Sequence, residues 1–224
     1  VGAGTGGLTE IAMDVLDEST DYVFSDISPS FFPMARERWG DRAHFKVLNL
    51  ENTKQALEET RYDLIIGFDV IHATSNIEVA LKNIRNMLAP GGSAVIMDFV
   101  DVPWWANMCF GVFEGWLKFN DNHRDRTCYM DEKSWRNLSE TVGFDRFSIE
   151  HRGFHCVLGF GNNVTKQEKF DCIAENEKDL IVYFKQALAI HDTTRHHCIR
   201  LAAPSDEENA SLVGFIRSIR EEYP

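Results

Sequence analysis

This sequence has no long apolar run, and its basic residues are fewer than its acidic ones. No apolar stretch approaches the ~20 residues that a helix needs to cross a bilayer, so we expect no membrane span. Lys and Arg number 23 against 35 Asp and Glu, and the formal net charge of −12 argues against a nucleic-acid-binding surface. The chain also has no internal repeat and no low-complexity tract. These absences favour a soluble globular protein, in which a local basic patch for an acidic protein partner is still allowed.

Cysteine is sparse and scattered. The chain has five cysteines and no CxxC pair, which is typical of reduced thiols and predicts a cytoplasmic protein. Two histidine clusters, His151/His155 and His196-His197, lack Cys or carboxylate partners at ligand spacing, so we predict no metal site. The cysteines are Cys109, Cys128, Cys156, Cys172 and Cys198.

Short apolar strands alternate with helices over the first hundred residues. This rhythm predicts an α/β fold with a doubly wound, Rossmann-like parallel sheet. A capping box, Ser75-Asn-Ile-Glu78, opens a helix that runs to Leu88, and Ala89–Gly92 turns into the next strand. The predicted strands are Tyr22–Asp26, His44–Leu48, Asp63–Phe68 and Ser93–Met97, followed by an antiparallel pair, Phe147–Glu150 and His155–Gly159. The predicted helices include Leu8–Leu16, Phe31–Trp39 and a short one that ends at Val142.

A polar break at Gly161-Asn-Asn163 divides the 224 residues into two predicted domains, 1–160 and 161–224. The second holds a strand, a helix, a strand and a final helix, which predicts a partial α/β unit. The chain begins inside a glycine-rich turn, and only Val1 represents the strand expected before it. We therefore interpret the first strand as truncated and the chain as part of a longer polypeptide.

The glycine-rich turn Val1–Gly7 predicts a nucleotide-like cofactor site. Glycine lets the backbone turn sharply and approach a ligand closely. The spacing Gly2-x-Gly4-x-x-Gly7 fits a dinucleotide, whereas Gly2-x-Gly4-x-Gly6 fits S-adenosylmethionine. The glycines alone leave both cofactors open, together with an ordinary tight turn that binds no ligand.

Polar residues after the second and third strands complete the predicted cofactor site. Asp26 ends the second strand, where a carboxylate accepts hydrogen bonds from both ribose hydroxyls of either cofactor. Asn49 and Leu50 follow the third strand and are placed to meet an adenine edge and face. An ordinary loop asparagine is the alternative interpretation of Asn49.

A histidine and an aspartate lie after neighbouring strands and predict a catalytic pair. His72 follows the fourth strand, and Asp98 ends the fifth. In a doubly wound sheet the carboxyl ends of these strands border the ligand crevice. We expect Asp98 to hold one imidazole nitrogen and the other to face a substrate. The alternative is a loop histidine and a solvated strand end.

Six segments of the chain form a combination that resembles a known family. They are Gly2–Gly7, Tyr22–Ser28, Phe45–Leu48, Asp69–Thr74 (DVIHAT), Leu88–Gly92 (LAPGG) and Gly115-Trp116. Together they resemble the C-methyltransferase domain of iterative, highly reducing polyketide synthases, over roughly residues 1–150. The tail, Leu212–Pro224, is similar to the structural ketoreductase subdomain that follows this domain in such synthases and in animal fatty acid synthase.

The resemblance implies S-adenosylmethionine as cofactor and a His–Glu pair as the chemical centre. His72 matches the family's histidine, Asp98 stands where the family has glutamate, and Asp69 stands where it has asparagine. The cofactor residues then expected are Gly2, Gly4, Thr5, Gly6, Asp26, Ile27, Asn49, Leu50 and Asp69.

The implied substrate is a β-ketoacyl chain on acyl carrier protein, and the implied partners are other domains of the same synthase. Phe110 and Trp116, within the aromatic stretch Trp104–Phe119, are expected to line the acyl path, with plain core packing as the alternative. Three other functions stay open: a catalytically silent scaffold like the remnant domain of animal fatty acid synthase, a stand-alone small-molecule methyltransferase, and an NAD-dependent oxidoreductase.

Overall fold

The structure is a computed structural model, and it describes residues 1–58, 60–102, 104–112, 116–152 and 155–162. The predicted second domain lies almost entirely outside the described residues, as do Gly115 and the tail from Leu212. The same is true of four predicted thiol and imidazole positions, Cys172, Cys198, His196 and His197. Among the described helices, none has the length and apolar character needed to cross a membrane.

Helices and strands alternate in the chain order that the sequence predicts, which confirms the α/β class. The helices are α1 (Gly7–Val15), α2 (Phe32–Trp39), α3 (Thr53–Ala56), α4 (Ile77–Met87), α5 (Trp104–Phe110) and α6 (Glu132–Val142). The strands are β1 (Tyr22–Asp26), β2 (Ala43–Val47), β3 (Tyr62–Phe68), β4 (Leu88–Phe99), β5 (Arg146–Arg152) and β6 (His155–Gly161). Single 3₁₀ turns cover Pro29–Phe31 and Ile71–Ala73.

The strands form two hydrogen-bonded groups within the described residues. β1 pairs in parallel with β2, and a four-stranded sheet has the order β3-β4-β6-β5. β3 and β4 are parallel neighbours, whereas β6 runs antiparallel to both β4 and β5. The predicted neighbouring strands and the predicted antiparallel pair are therefore confirmed.

Residues 1–3 lie between the two groups of strands. The backbone nitrogen of Val1 donates to the carbonyl oxygen of Ile66 in β3 at 2.7 Å. The nitrogen of Ala3 donates to the carbonyl of Ser25 in β1 at 3.0 Å. These two bonds place the glycine-rich turn directly beyond the carboxyl ends of β1 and β3.

Two separate apolar cores hold the elements together. In the larger core, α4 and α6 pack on the sheet, with Ile84, Leu138 and Ile96 fully buried. The smaller core surrounds the fully buried ring of Phe24, which lies 6.1 Å from Phe32 and 5.5 Å from Phe45 between ring centroids. Burial of each such side chain contributes about 1.5–3 kcal/mol.

Helix α4 begins one residue later than the capping box predicts. Asn76, not Ser75, is the N-cap, and its side-chain oxygen accepts from Val79 N at 3.0 Å. The nitrogen of Ser75 instead donates to the Glu51 carboxylate at 3.0 Å. The prediction of Ser75 as cap is wrong because asparagine caps a helix as well as serine does. Glu51 does not distinguish the two residues, since it also accepts from Asn76 N at 2.8 Å.

Strand β4 begins earlier than the predicted Ser93. Leu88 already pairs with Tyr62, and the next paired residues are Ser93 and Leu64. From the first pair to the second, β3 advances by two residues and β4 advances by five. The segment predicted as a turn, Ala89–Gly92, is therefore an irregularity inside the strand pair. Gly92 fits there because a Cβ would lie 2.9 Å from the carbonyl oxygen of Tyr62.

The glycine-rich turn yields a stability prediction. Gly6 has φ +90°, and a Cβ on it would lie 2.5 Å from the Trp39 ring. Gly4 has φ +51°, but a Cβ there meets nothing within 4 Å among the described residues. We expect Gly6→Ala to lower the free energy of unfolding in urea by about 1–3 kcal/mol more than Gly4→Ala does, since only the first adds overpacking to backbone strain. Equal losses would show that Trp39 moves aside freely.

Candidate active site

The glycine-rich turn presents an open backbone surface. Gly2, Gly4 and Gly6 all adopt positive φ, and Gly6 N donates to Ala3 O at 2.9 Å, which closes the turn. The space beside the Gly4 Cα is open, since no described protein atom lies within 4 Å of where a Cβ would stand. Thr5 lies between these glycines, just before α1. The turn therefore has room for a ligand against its backbone, as the cofactor prediction requires.

Asp26 anchors this turn from the end of β1. Its Oδ2 accepts from Gly4 N at 2.9 Å, and its Oδ1 accepts from Ser28 N at 2.8 Å. Only 6% of the residue is exposed. A carboxylate has about four acceptor positions, so two backbone bonds leave capacity for hydroxyl donors. The carboxylate is thus fixed in orientation and suited to hold a ribose.

The other predicted cofactor residues differ in their surroundings. Ile27 follows Asp26 directly, and 64% of it is exposed. Asn49 is partly buried, and its side-chain oxygen accepts from Glu51 N at 2.9 Å. Leu50 is buried in the larger core. The structure therefore brings Asp26 and the glycines together and leaves Ile27 exposed and Asn49 half-buried. The Leu50 side chain packs in the larger core.

His72 and Asp98 are in direct contact. His72 Nδ1 donates to Asp98 Oδ1 at 2.8 Å, and the backbone nitrogen of His72 donates to Oδ2 at 3.1 Å. The Asp98 side chain is fully buried, whereas 19% of the His72 side chain is exposed. Asp98 is thus oriented by both of its oxygens. Because Nδ1 is engaged, Nε2 is the nitrogen left to meet a substrate.

The groups around His72 raise its pKa and so make it a stronger base. Burial lowers the pKa of His72, but the charge and hydrogen bond of Asp98 and the charge of Asp69 outweigh burial and raise the pKa above its ordinary value. Arg124 opposes this rise by its positive charge. The imidazolium form is therefore stabilised at the position where a proton would be taken up.

A buried ion pair that the sequence analysis did not single out holds the His72 loop. Arg124 and Asp121 lie 2.6 Å apart between Nη2 and Oδ2, with side chains 0% and 2% exposed. Arg124 also donates to the carbonyl oxygens of His72 at 2.8 Å and Thr74 at 2.7 Å. Asp121 in turn accepts from Ile77 N at the start of α4. The pair therefore fixes both the loop and the helix that follows it.

An aromatic series leads from His72 towards the predicted substrate residues. The ring of Tyr129 lies 4.8 Å from that of His72 and 5.2 Å from that of Trp116. Trp116 stacks on Phe110 at 5.7 Å and donates from Nε1 to Asn107. Tyr129, which no sequence signal separates from other aromatics, thus joins the predicted substrate residues to the histidine.

The aromatic stretch as a whole is not plain core. Trp104 is 74% exposed and Trp105 is 41% exposed, while Met108 and Leu117 nearby are also exposed. These apolar side chains lie on the outside of α5 and the segment after it. The alternative that the stretch simply packs inward is therefore wrong for these residues.

Asp69 lies in the same cluster as His72 and Asp98. One ring nitrogen of His72 and one carboxylate oxygen from each of Asp69 and Asp98 all lie within 4.8 Å of one another. Asp69 contacts His155 of β6, with Nε2 3.4 Å from Oδ1. Asp98 Oδ1 already accepts from His72 Nδ1 and from Phe99 N at 2.8 Å, and the absence of a metal site stays a prediction. His151 is separate from this cluster, 3.5 Å from Glu132.

Comparison with known proteins shows similarity to a methyltransferase family and to a polyketide synthase. Residues 1–94 match a family described as "Methyltransferase domain". The highly reducing polyketide synthase easB of Emericella nidulans is 39% identical over 154 residues, which are 64% of this chain and 6% of that protein.

Two solved structures share the fold and part of the sequence. The CurJ carbon methyltransferase has a TM-score of 0.64 and 30% identity, over 73% of this chain and 47% of that one. The trans-methyltransferase CalH, in complex with SAH, has a TM-score of 0.63 and 25% identity, over 72% and 50%. This chain thus spans about half of each solved chain and a small part of the synthase.

Proposed function

We infer that this chain belongs to the methyltransferase domains of the highly reducing polyketide synthase type, and we propose that it methylates the α-carbon of a β-ketoacyl thioester carried by acyl carrier protein. The observation that carries the proposal is the His72–Asp98 contact beside the glycine-rich turn and Asp26. All of these groups lie at the carboxyl ends of parallel strands, where open α/β sheets bind ligands.

S-adenosylmethionine is the methyl donor that this proposal requires, and it supplies an electrophilic methyl group when bound. Gly2, Gly4, Thr5 and Gly6 would cradle it against the open backbone, and Asp26 would accept from its ribose hydroxyls. Ile27 and Asn49 would border the remainder at the surface. The fit rests on the empty space at Gly4 and the fixed carboxylate of Asp26.

His72 would act as the general base. The α-carbon of a β-ketoacyl thioester lies between two carbonyls, so its proton is acidic enough for an imidazole to remove. The carbon–hydrogen bond breaks as a bond forms between that proton and Nε2, and the electron pair passes to the carbonyl oxygens as an enolate. Asp98 keeps Nδ1 protonated and stabilises the imidazolium that results. Holding base and substrate in place can lower the activation free energy by about 7–11 kcal/mol.

The acyl chain would follow the aromatic series. Trp116 and Phe110 offer an apolar wall that Tyr129 connects to His72. An acyl chain gains roughly 0.8 kcal/mol for each methylene that it buries there. Acyl carrier protein and other domains of the same synthase are the partners that follow from this proposal, and the cytoplasm stays the predicted location.

Cofactor binding by the 224-residue chain tests this proposal. We expect S-adenosylmethionine to bind in isothermal calorimetry and Asp26→Ala to weaken binding by about 10- to 100-fold, as loss of a charged hydrogen-bond acceptor does. Asp21→Ala is the matched control, because Asp21 is close to the same strand but its side chain is 80% exposed. Wild-type chain that is folded by circular dichroism yet binds no cofactor would support the silent scaffold instead.

A further inference from the structure

A second histidine–aspartate pair lies beside the first. His155 Nε2 is 3.4 Å from Asp69 Oδ1 and 3.5 Å from Oδ2, with side chains 8% and 15% exposed. The His155 ring contacts two aromatic rings, that of Phe99 at 4.0 Å and that of Phe68 at 5.4 Å between centroids. A buried imidazole in contact with two aromatic rings has little freedom to turn away from its carboxylate.

A backbone hydrogen bond between the ends of β3 and β4 holds the His155–Asp69 pair close to the His72–Asp98 pair. Asp69 has φ +49°, in the left-handed region, and its nitrogen donates to the carbonyl oxygen of Met97 at 2.9 Å. Met97 immediately precedes Asp98 in β4. The side chains of Asp69, His72 and Asp98 therefore meet within 4.8 Å because the chain folds back on the end of its neighbouring strand.

Three charged side chains from three different elements act on the His72 ring. Asp98 faces it from β4, Asp69 from the end of β3, and Arg124 from the loop before α6, where it opposes the two acids. Cys128 and Tyr129 also lie close, but burial raises the pKa of Cys128 to about 12 and also raises that of Tyr129, so both are neutral at physiological pH. Asp69 is therefore the second acidic group beside the imidazole.

Asp69 needs a partner to hold that charge. Burial raises its pKa, and the neighbouring Asp98 raises it as well, whereas the hydrogen bond from His155 lowers it. Oδ1 of Asp69 is buried and accepts no well-oriented hydrogen bond from the described residues. His155 is thus the group that opposes protonation of this carboxyl most directly.

We propose that Asp69 and His155 are positioning residues that set the basicity of His72. His155 keeps the buried Asp69 carboxylate ionised, and ionised Asp69 joins Asp98 in stabilising protonated His72. The proposal extends the base role given to His72 in the proposed function. It predicts that neutralising Asp69 and removing His155 have the same consequence at His72, because both act through one charge.

Titration of the histidine ring nitrogens by ¹⁵N NMR tests this without substrate or cofactor. The His72 resonances in the full chain are assigned by their loss in His72→Gln. We expect Asp69→Asn to lower the midpoint of the His72 titration by about one pH unit. Asparagine tolerates left-handed φ, so this variant keeps the local backbone. Asp21→Asn, which removes an exposed carboxylate 3.3 Å from His44, is expected to leave the His72 midpoint unchanged.

His155→Gln and the double variant complete a cycle. We expect His155→Gln to lower the His72 midpoint by the same amount as Asp69→Asn, and the double variant to add nothing. His155→Asn serves if His155→Gln does not fold. An unmoved midpoint in Asp69→Asn, or shifts that add, would overturn the proposal. A chain that binds no cofactor would refute the proposed function and leave this titration result standing.

Discussion

His72→Gln is expected to lower kcat/KM for methyl transfer to a β-ketoacyl thioester by about 10²–10⁴-fold, the usual contribution of a general base. Glutamine keeps a polar side chain of similar length but cannot take up the α-proton. S-adenosylmethionine affinity in calorimetry should be unchanged, because His72 is predicted to contact the substrate and not the cofactor. His44→Gln is the matched control, since its ring is 80% exposed and pairs only with Asp21 among the described residues.

The pH dependence of the same reaction separates base catalysis from a structural role. His72 is active when deprotonated, and its raised pKa places the acidic limb of kcat/KM above the ordinary histidine value of 6.5. Activity therefore rises with pH through that midpoint. Asp98→Asn should move the limb to lower pH while it lowers the maximum, because the imidazolium loses its buried counter-charge. If His72→Gln retains more than about a tenth of wild-type kcat/KM, the base is another group.

The His72–Asp98 contact was predictable because topology favours it and the family resemblance implies it. Two apolar strands, Asp63–Phe68 and Ser93–Met97, indicate parallel neighbours, and residues just past their carboxyl ends must meet. The glycine-rich turn and Asp26 were predictable for the same reason. Position after a strand was not enough for Leu50, whose side chain is buried in the larger core.

The supporting groups were not predictable, because each depends on a tertiary contact. Asp121 and Arg124 occupy a polar stretch that by composition belongs on the surface, yet both side chains are buried. Tyr129 is one aromatic among many until the fold brings it to His72. Glu51, which holds the start of α4 by accepting from the nitrogens of Ser75 and Asn76, likewise lies 24 residues away from Ser75 in sequence.

Arg124→Met is expected to lower the free energy of unfolding by about 3–5 kcal/mol, because it leaves the Asp121 carboxylate buried without its counter-charge. The loss has a further cause, since the carbonyl oxygens of His72 and Thr74 lose their donor. Urea unfolding of the chain, followed by circular dichroism, measures the effect. Arg126→Met is the matched control, since Arg126 is 92% exposed and lies 3.6 Å from an equally exposed Asp125; we expect little change there.

A double substitution distinguishes the charge from the hydrogen bonds to the loop. Asp121→Asn combined with Arg124→Met removes both charges, so it should recover part of the stability lost in Arg124→Met alone. It cannot restore the donors to the His72 and Thr74 carbonyl oxygens, so methyl transfer should stay reduced even where stability returns. Full recovery of both stability and methyl transfer would mean that Arg124 serves only to balance the charge of Asp121. Recovery of stability without activity would mean that Arg124 stabilises the fold through Asp121 and positions the base through the backbone of its loop.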